Sequence, residues 1–252
     1  MLLAGKNAVI YGGGGAIGGA VARAFAHEGA GVYLAGRTAA PLDEVAGQIR
    51  AAGGRAETAI VDALDEAAVD AHADAVAAEA GRIDISFNLI SHRVVQGTPM
   101  VDMSVDDYTE PVLIGVRTTF LTWRAAARHM KRQGGGVILA FGGSGPPFRD
   151  HHLGALQTGF AAIEAMRRQF ASELGRDGIR VVTLRTGGIP ESIPTGFPGV
   201  EQITGEIDEA SMLGRAATLE DVGNVAAFVA SDRARSMTAA TANISAGTLI
   251  DE

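Results

Sequence analysis

"YGGGGAIGG", residues 11–19, is the stretch on which the fold turns. It follows a short apolar run, "KNAVIYG", and leads into an Ala-rich stretch of helical period at 16–29. Glycines at such a junction let the chain turn sharply and bring backbone N–H groups close to an anion, and the helix N-terminus adds a field that favours phosphate. A glycine cluster alone says little. Placed at the first strand-to-helix turn of an alternating chain, Gly12, Gly13, Gly14 and Gly15 occupy the context in which a nucleotide diphosphate is held.

The alternation continues outward from that turn. "GVYLAG" precedes a helical stretch at 39–52, "AETAIVD" one at 65–80, and "IDISFNLIS" a long one at about 104–132. "GVILAFGG" precedes 153–176, "IRVVTLRTGG" leads to a Pro- and Gly-rich stretch, a helix follows at about 219–231, and "ATANISAG" closes the pattern. Strands alternating with helices predict a parallel sheet with right-handed crossovers: a doubly wound, Rossmann-like α/β fold with helices on both faces. One domain spanning residues 1–252 accommodates it. Residues 186–211, containing "TGGIPESIPTGFPG", form the long segment without a clear period. It follows a strand end, where open α/β sheets bind ligands, so a lid over a substrate is expected there, with a plain mobile loop as the alternative.

Composition excludes several classes of function. A formal charge of −8, from 29 acidic and 21 basic residues without a basic run, argues against nucleic acid or an anionic membrane as partner. The absence of cysteine removes disulfides, thiol nucleophiles and thiolate metal sites. No run approaches the roughly 20 apolar residues of a membrane span, and "MLLAGKNAVIYGG" has no basic leader before a long apolar core. A cytoplasmic location is the expectation.

Arg37, at the end of "YLAGR", stands where the adenosine ribose of a dinucleotide would lie. An acidic residue there would bond the ribose hydroxyls, whereas Arg favours a 2′-phosphate and hence NADP(H) over NAD(H).

With these features in place, the chain resembles the short-chain dehydrogenase/reductase family from Lys6 to about Asp251. The family motif Thr-Gly-x-x-x-Gly-Ile-Gly falls on Tyr11, Gly12, Ala16, Ile17 and Gly18, with Gly13, Gly14 and Gly15 in its variable positions. Asp62 resembles the family's Asp that meets the adenine, and "ASELGRDGIRVVTLRTGGI" is also family-like, with Thr186 replacing Pro. The resemblance extends the cofactor site to Asn88, Gly187 and Ile189. Asn88, Leu89, Ile90 and Ser91 stand where the family has Asn-Asn-Ala-Gly, so Ile90 and Ser91 are expected to crowd the adenosine side.

The family's four catalytic residues fall on positions of other chemistry. Its helix Asn aligns with Gly115, its Ser with Gly143, and its Tyr and Lys with Leu156 and Phe160. That mechanism needs an acid, a cation that lowers the acid's pKa, and a hydroxyl that holds the substrate oxygen, none of which Leu, Phe or Gly supplies. Loss of a positioned acid alone typically lowers a rate by about 10²–10⁴-fold. The two lysines, Lys6 and Lys131, and the three tyrosines, Tyr11, Tyr33 and Tyr108, do not restore the pair by any one-residue slip.

Leu156, Phe160, Ile163, Phe170 and Leu174 form one apolar helical stripe, which either packs against the sheet or a partner subunit or walls an apolar pocket for a small substrate. Polar candidates nearby are Ser144, His92, Glu191 with Ser192, and the run Arg149, Asp150, His151 and His152. Adjacent His151 and His152 lack a third ligand, so no metal is expected. The expectation is a nucleotide-binding protein without ordinary ketone reduction. Two alternatives stand beside it: an enzyme of altered chemistry (an atypical reductase, or a non-redox lyase, isomerase or cyclase using His151, His152 or bound water), or an interaction module without cofactor. The resemblance implies a homodimer or homotetramer built through the fourth and fifth long helices and the chain end.

Overall fold

The structure is a computed structural model and describes residues 1–142, 152–194 and 196–250. Seven parallel strands run in the order β3-β2-β1-β4-β5-β6-β7. They are β1 (Asn7–Tyr11), β2 (Gly31–Gly36), β3 (Arg55–Ile60), β4 (Ile85–Asn88), β5 (Gly136–Phe141), β6 (Ile179–Thr186) and β7 (Ala240–Ile244). The helices between them are α1 (Ala16–His27), α2 (Ala39–Ala51), α3 (Glu66–Ala80), α4 (Val105–Gln133), α5 (Gly154–Leu174), α6 (Val200–Ala210) and α7 (Leu219–Ala230).

β1 shows why the sheet is covered on both faces. All five residues of "NAVIY" are buried, and successive side chains point to opposite sides. Ala8 and Ile10 join a core with Val21 and Phe25 of α1, Leu42 of α2 and Val222 of α7. Val9 and Tyr11 join the other, with Val69 of α3, Trp123 and Met130 of α4, and Ile163 of α5. Trp123 is fully buried, and its ring meets Phe170 edge-on at 5.5 Å between centroids. The result is one Rossmann-like domain.

Polar side chains fix three of the helix starts. Asp65 accepts from the amides of Ala67 and Ala68 at α3, Ser104 from Asp107 at α4, and Thr218 forms a reciprocal capping box with Asp221 at α7. α1 differs: its N-cap Gly15 offers no side chain, and its first turn carries no acid. The strand order reverses between β1 and β4, which opens a crevice at the carboxyl ends of those strands, directly above the α1 N-terminus.

One expectation needs correction. Residues 186–211 are not without regular structure: after a short 3-10 turn at Pro190–Ser192 comes the 11-residue helix α6. Val200, Ile203 and Ile207 carry its period, and Ile203 and Ile207 are half-buried. Among the described residues, no helix is long and apolar enough to cross a membrane.

Candidate functional site

The glycine turn is built by close backbone approach. Gly12 sits at φ +79° and donates its N–H to the Ala35 carbonyl at 2.8 Å. A Cβ on Gly12 would lie 2.5 Å from the Leu89 carbonyl oxygen, and one on Gly18 would collide with the Gly12 carbonyl. Gly13 lies against Leu34 and Gly14 against Pro41, where a Cβ would stand at 3.0 Å, closer than ordinary van der Waals contact. Gly15 and Ala16 are exposed, and Ile17 is half-buried at the start of α1.

In front of this turn lies a cleft of about 460 Å³. Its walls include Gly12, Gly14 and Gly15, then Arg37 from the end of β2, Asp62 after β3, and Ile90 and Ser91 after β4. Arg37 is exposed and makes no hydrogen bond or ion pair among the described residues. Asp62 is held by its Oδ1, which accepts the Leu64 amide at 3.0 Å. Ile90 and Ser91 line the cleft without closing it, so the expected crowding leaves room for a ligand.

Several residues assigned to the cofactor serve the turn from behind. Asn88 is buried: its Nδ2 donates to the hydroxyls of Thr118 (3.3 Å) and Thr119 (3.4 Å), and its Oδ1 accepts the Ile90 amide at 3.0 Å. It ties the loop after β4 to α4. Gly13 and Gly18 are likewise buried. Tyr11, in place of the family's Thr, points to the α3 side, where its hydroxyl meets Nδ1 of His72 at 3.2 Å. Burial pushes the His72 imidazole down to about 4 and the Tyr11 phenol upward.

On the far side of β4 the structure is apolar and closely fitted. Phe160 on α5 lies over Gly142, where a Cβ would strike its ring, and meets the imidazole of His92 edge-on at 5.5 Å. The same imidazole lies against Gly115 on α4: a Cβ there would be 2.8–3.0 Å from Cε1, Nδ1 and Nε2. Gly159 of α5 approaches it from the other side, with its would-be Cβ 3.7 Å from Nδ1. Thus Gly115, Gly159 and Phe160 form one fitted set around His92. Burial lowers the His92 pKa, and no hydrogen-bond partner is present among the described residues. The sequence named His92 only as one histidine among several. The signal that singles it out was the pairing of two helix-interior glycines with a Phe, which makes room for an imidazole.

Other candidates separate. Gly143, Ser144, Arg149, Asp150 and His151 lie outside the described residues. His152 is half-buried at φ +49°, just ahead of α5, and Leu156 is half-buried within it. Glu191 accepts the Leu219 amide at 2.7 Å and Ser192 donates to the Ile189 carbonyl at 2.7 Å, so both are spent on local structure. Ile189 packs its side chain in the core, and Gly187 is half-buried beside Thr248, where a Cβ would collide with the threonine hydroxyl. α6 rests on Gly188 through Ile207, 2.8 Å from where a Cβ would stand. Its far end is tied down where the Ser211 hydroxyl (2.8 Å) and the Leu213 amide (3.1 Å) donate to the Ala246 carbonyl.

Comparison with known proteins agrees with this geometry. Residues 14–248 match the family described as enoyl-(acyl carrier protein) reductase. D-threitol dehydrogenase of Mycolicibacterium smegmatis is 30% identical over 247 residues, 97% of this chain and 93% of the relative. Meso-2,3-butanediol dehydrogenase of Serratia marcescens is 29% identical over 244 residues, 96% of this chain and 94% of the relative. The crystal structure of a short-chain type dehydrogenase/reductase from Mycobacterium marinum superposes with a TM-score of 0.86 at 29% identity, over 98% of this chain and 96% of that one. On the parallel sheet, the glycine turn and these matches together, the chain belongs to the short-chain dehydrogenase/reductase family of NAD(P)-dependent oxidoreductases.

Proposed function

We propose that this chain binds NADP(H) in the cleft at its first turn and does not use the family's Tyr-Lys mechanism of carbonyl reduction. The observation that carries the first half is the cleft itself. Its floor is glycine backbone at an α1 N-terminus without a capping side chain or an acid, and its rim holds an Arg37 with no partner among the described residues. A diphosphate fits the first feature, because backbone amides and the helix field favour an anion. A 2′-phosphate fits the second, because a guanidinium offers several donors in a fork. Asp62 lies where an adenine amine is received. NADP(H), when bound, supplies a hydride donor or acceptor. The chain's own residues bind its diphosphate and adenosine and leave the other half lying over β4, β5 and β6.

The second half rests on Leu156, Phe160 and Gly115. Phe160 is not a vacant replacement, since its ring fills the space over Gly142 and packs on His92. Neither phenol nor ammonium stands at these positions of α5.

We further propose a homodimer or homotetramer through α4 and α5. Leu113 and Phe120 of α4 are 65% and 41% exposed, and a groove of about 510 Å³ between the two helices has Phe120, Met166, Phe170 and Leu174 among its walls, together with charged residues such as Arg128, Lys131 and Glu173. α6 is the lid, anchored at Gly188 and Ala246.

Equilibrium titration of the purified protein with NADPH, and with NADH as comparator, tests the cofactor assignment. Saturable binding that favours NADPH supports it. Absence of binding by either sinks it and leaves the interaction-module alternative.

A further inference from the structure

We infer that Arg93 is a second anion-holding residue of the cleft, closing on the diphosphate of the dinucleotide from the β4 side, and that the inward-turned His92 presents it. This rests on the NADP(H) reading above and adds the side chain that grips the part common to NADPH and NADH.

The loop after β4 faces two ways. Ser91 and Arg93 line the cleft. His92, between them, instead lines a small interior void with Thr119, Trp123 and Ile163. Its ring is seated there by Gly115, Gly159 and Phe160. The chain just before it is fixed as well: the Leu89 amide donates to the Tyr11 carbonyl at 2.8 Å, and the Ile90 amide to Asn88 Oδ1 at 3.0 Å. Arg93 leaves this anchor at φ +56°, a left-handed conformation that residues other than glycine seldom adopt, and its amide donates to the Ser91 hydroxyl at 3.4 Å. A backbone held in that region persists only where its surroundings impose it. Here the packed imidazole next in the chain is the imposing element, and it turns the following side chain outward.

Strand order places the guanidinium. β1, whose end becomes the glycine turn, lies between β2 and β4 in the sheet. Arg37 comes from the end of β2 and Arg93 from the loop after β4, so the two cations among the described walls of the cleft flank the turn. With a 2′-phosphate at Arg37, the diphosphate over the turn is the anion nearest the other flank. The turn amides meet it from below and Arg93 from the side. Arg93 is weakly committed elsewhere: its ion pair, from Nη1 to Glu110 Oε1, is 3.9 Å long, and the two side chains are 52% and 63% exposed. So long and exposed a pair contributes little. A guanidinium on a phosphate makes shorter, charge-assisted bonds, so binding exchanges Glu110 for phosphate oxygens.

Calorimetric titration with NADPH and with NADH, together with displacement of NADPH by 2′-AMP, separates the two arginines. Arg93→Gln removes the charge at an exposed site and keeps a polar side chain. It should weaken NADPH and NADH by the same factor, about 10–100-fold, because hydrogen bonds to a charged group are lost. Affinity for 2′-AMP, which has no diphosphate, should not change. His92→Ala should release the loop and cost both cofactors a similar factor, and in that background Arg93→Gln should cost nothing more. His92→Phe, which keeps a ring in the seat, should restore the full effect of Arg93→Gln. A His92 that served stability alone would leave the two costs additive. A loss confined to NADPH would put Arg93 on the 2′-phosphate, and no loss for either cofactor would remove it from the site. Either result, or additive costs, overturns the inference while leaving NADP(H) binding intact. Failure of the wild-type protein to bind either cofactor overturns the NADP(H) reading instead.

Discussion

The two ends of the crevice are built from different materials. On the β1–β3 side the cleft is floored by glycine backbone and a helix terminus, with Arg37 and Asp62 as its charged side chains among apolar neighbours such as Pro41, Leu42 and Val61. On the β4–β6 side, side chain packs on side chain, with Phe160 over Gly142 and His92 against Gly115. A backbone site depends on the path of the chain, so it persists as long as the turn does. A side-chain site can be rewritten residue by residue on the same path.

The sharpest way to break this contrast is to fill the turn. In Gly12→Val the new Cβ would stand 2.5 Å from the Leu89 carbonyl at a φ of +79°, where a β-branched residue is strained. NADPH binding should fall more than about 100-fold, with a lower melting temperature, since 1.4 kcal/mol is a factor of ten and overpacking and backbone strain each cost about 1–3 kcal/mol. Calorimetric titration and thermal unfolding measure both. Binding that survives would mean the turn is not the anion site.

The next effect concerns the histidine beneath the backbone-built end. His72 is held down to about 4 by burial, so the folded state disfavours its protonation. Its contribution is fully present above the unfolded value of about 6.5, is lost as pH falls from there to about 4, and is constant below; over that window it amounts to about 3 kcal/mol. His72→Gln, which keeps a partner for the Tyr11 hydroxyl, should flatten the dependence of stability on pH between those limits in urea unfolding. An unchanged slope would place the acid sensitivity elsewhere.

Arg37→Glu should weaken NADPH about 10–100-fold and leave NADH nearly unchanged, because a charge-assisted pair to a phosphate contributes about 1.5–3 kcal/mol. Equal losses for both would remove Arg37 from 2′-phosphate recognition. The smallest effect is at the other end. In Gly115→Ala, overpacking against the His92 ring costs about 1–3 kcal/mol, while the better helix former returns about 1 kcal/mol. The net change in stability should be modest and NADPH affinity should hold, which would show that the two ends are energetically separate.

How much was legible in the sequence follows the same division. The strand and helix alternation and the glycine turn were readable because period and position determine them, and so was the place of Arg37 and Asp62 at the strand ends beside the turn. α6 was missed because its stripe, Val200, Ile203 and Ile207, is only two turns long and follows "PTGFPG". Asn88, Gly187 and Ile189 were reached only by motif, because their packing against Thr118, Thr248 and the core joins segments far apart in the chain. The seat of His92 needs three elements to meet at one point, α4, α5 and the loop after β4, and no local pattern encodes that meeting.

Trp123 gives the molecule a built-in optical reporter. It is the chain's single tryptophan, has no exposed surface, leaves its indole N–H without a hydrogen-bond partner among the described residues, and sits edge-on to Phe170, which lines the α4–α5 groove. Indole emission from this protein therefore arises from one dry location, and arrives at short wavelength. Phe170 also meets Phe120 edge-on at 6.3 Å, on the groove wall where a second subunit is proposed to dock. Assembly, loosening of the two long helices, and energy transfer to a bound reduced nicotinamide can thus each be followed in a single unlabelled sample, by the colour, polarisation and quenching of one side chain.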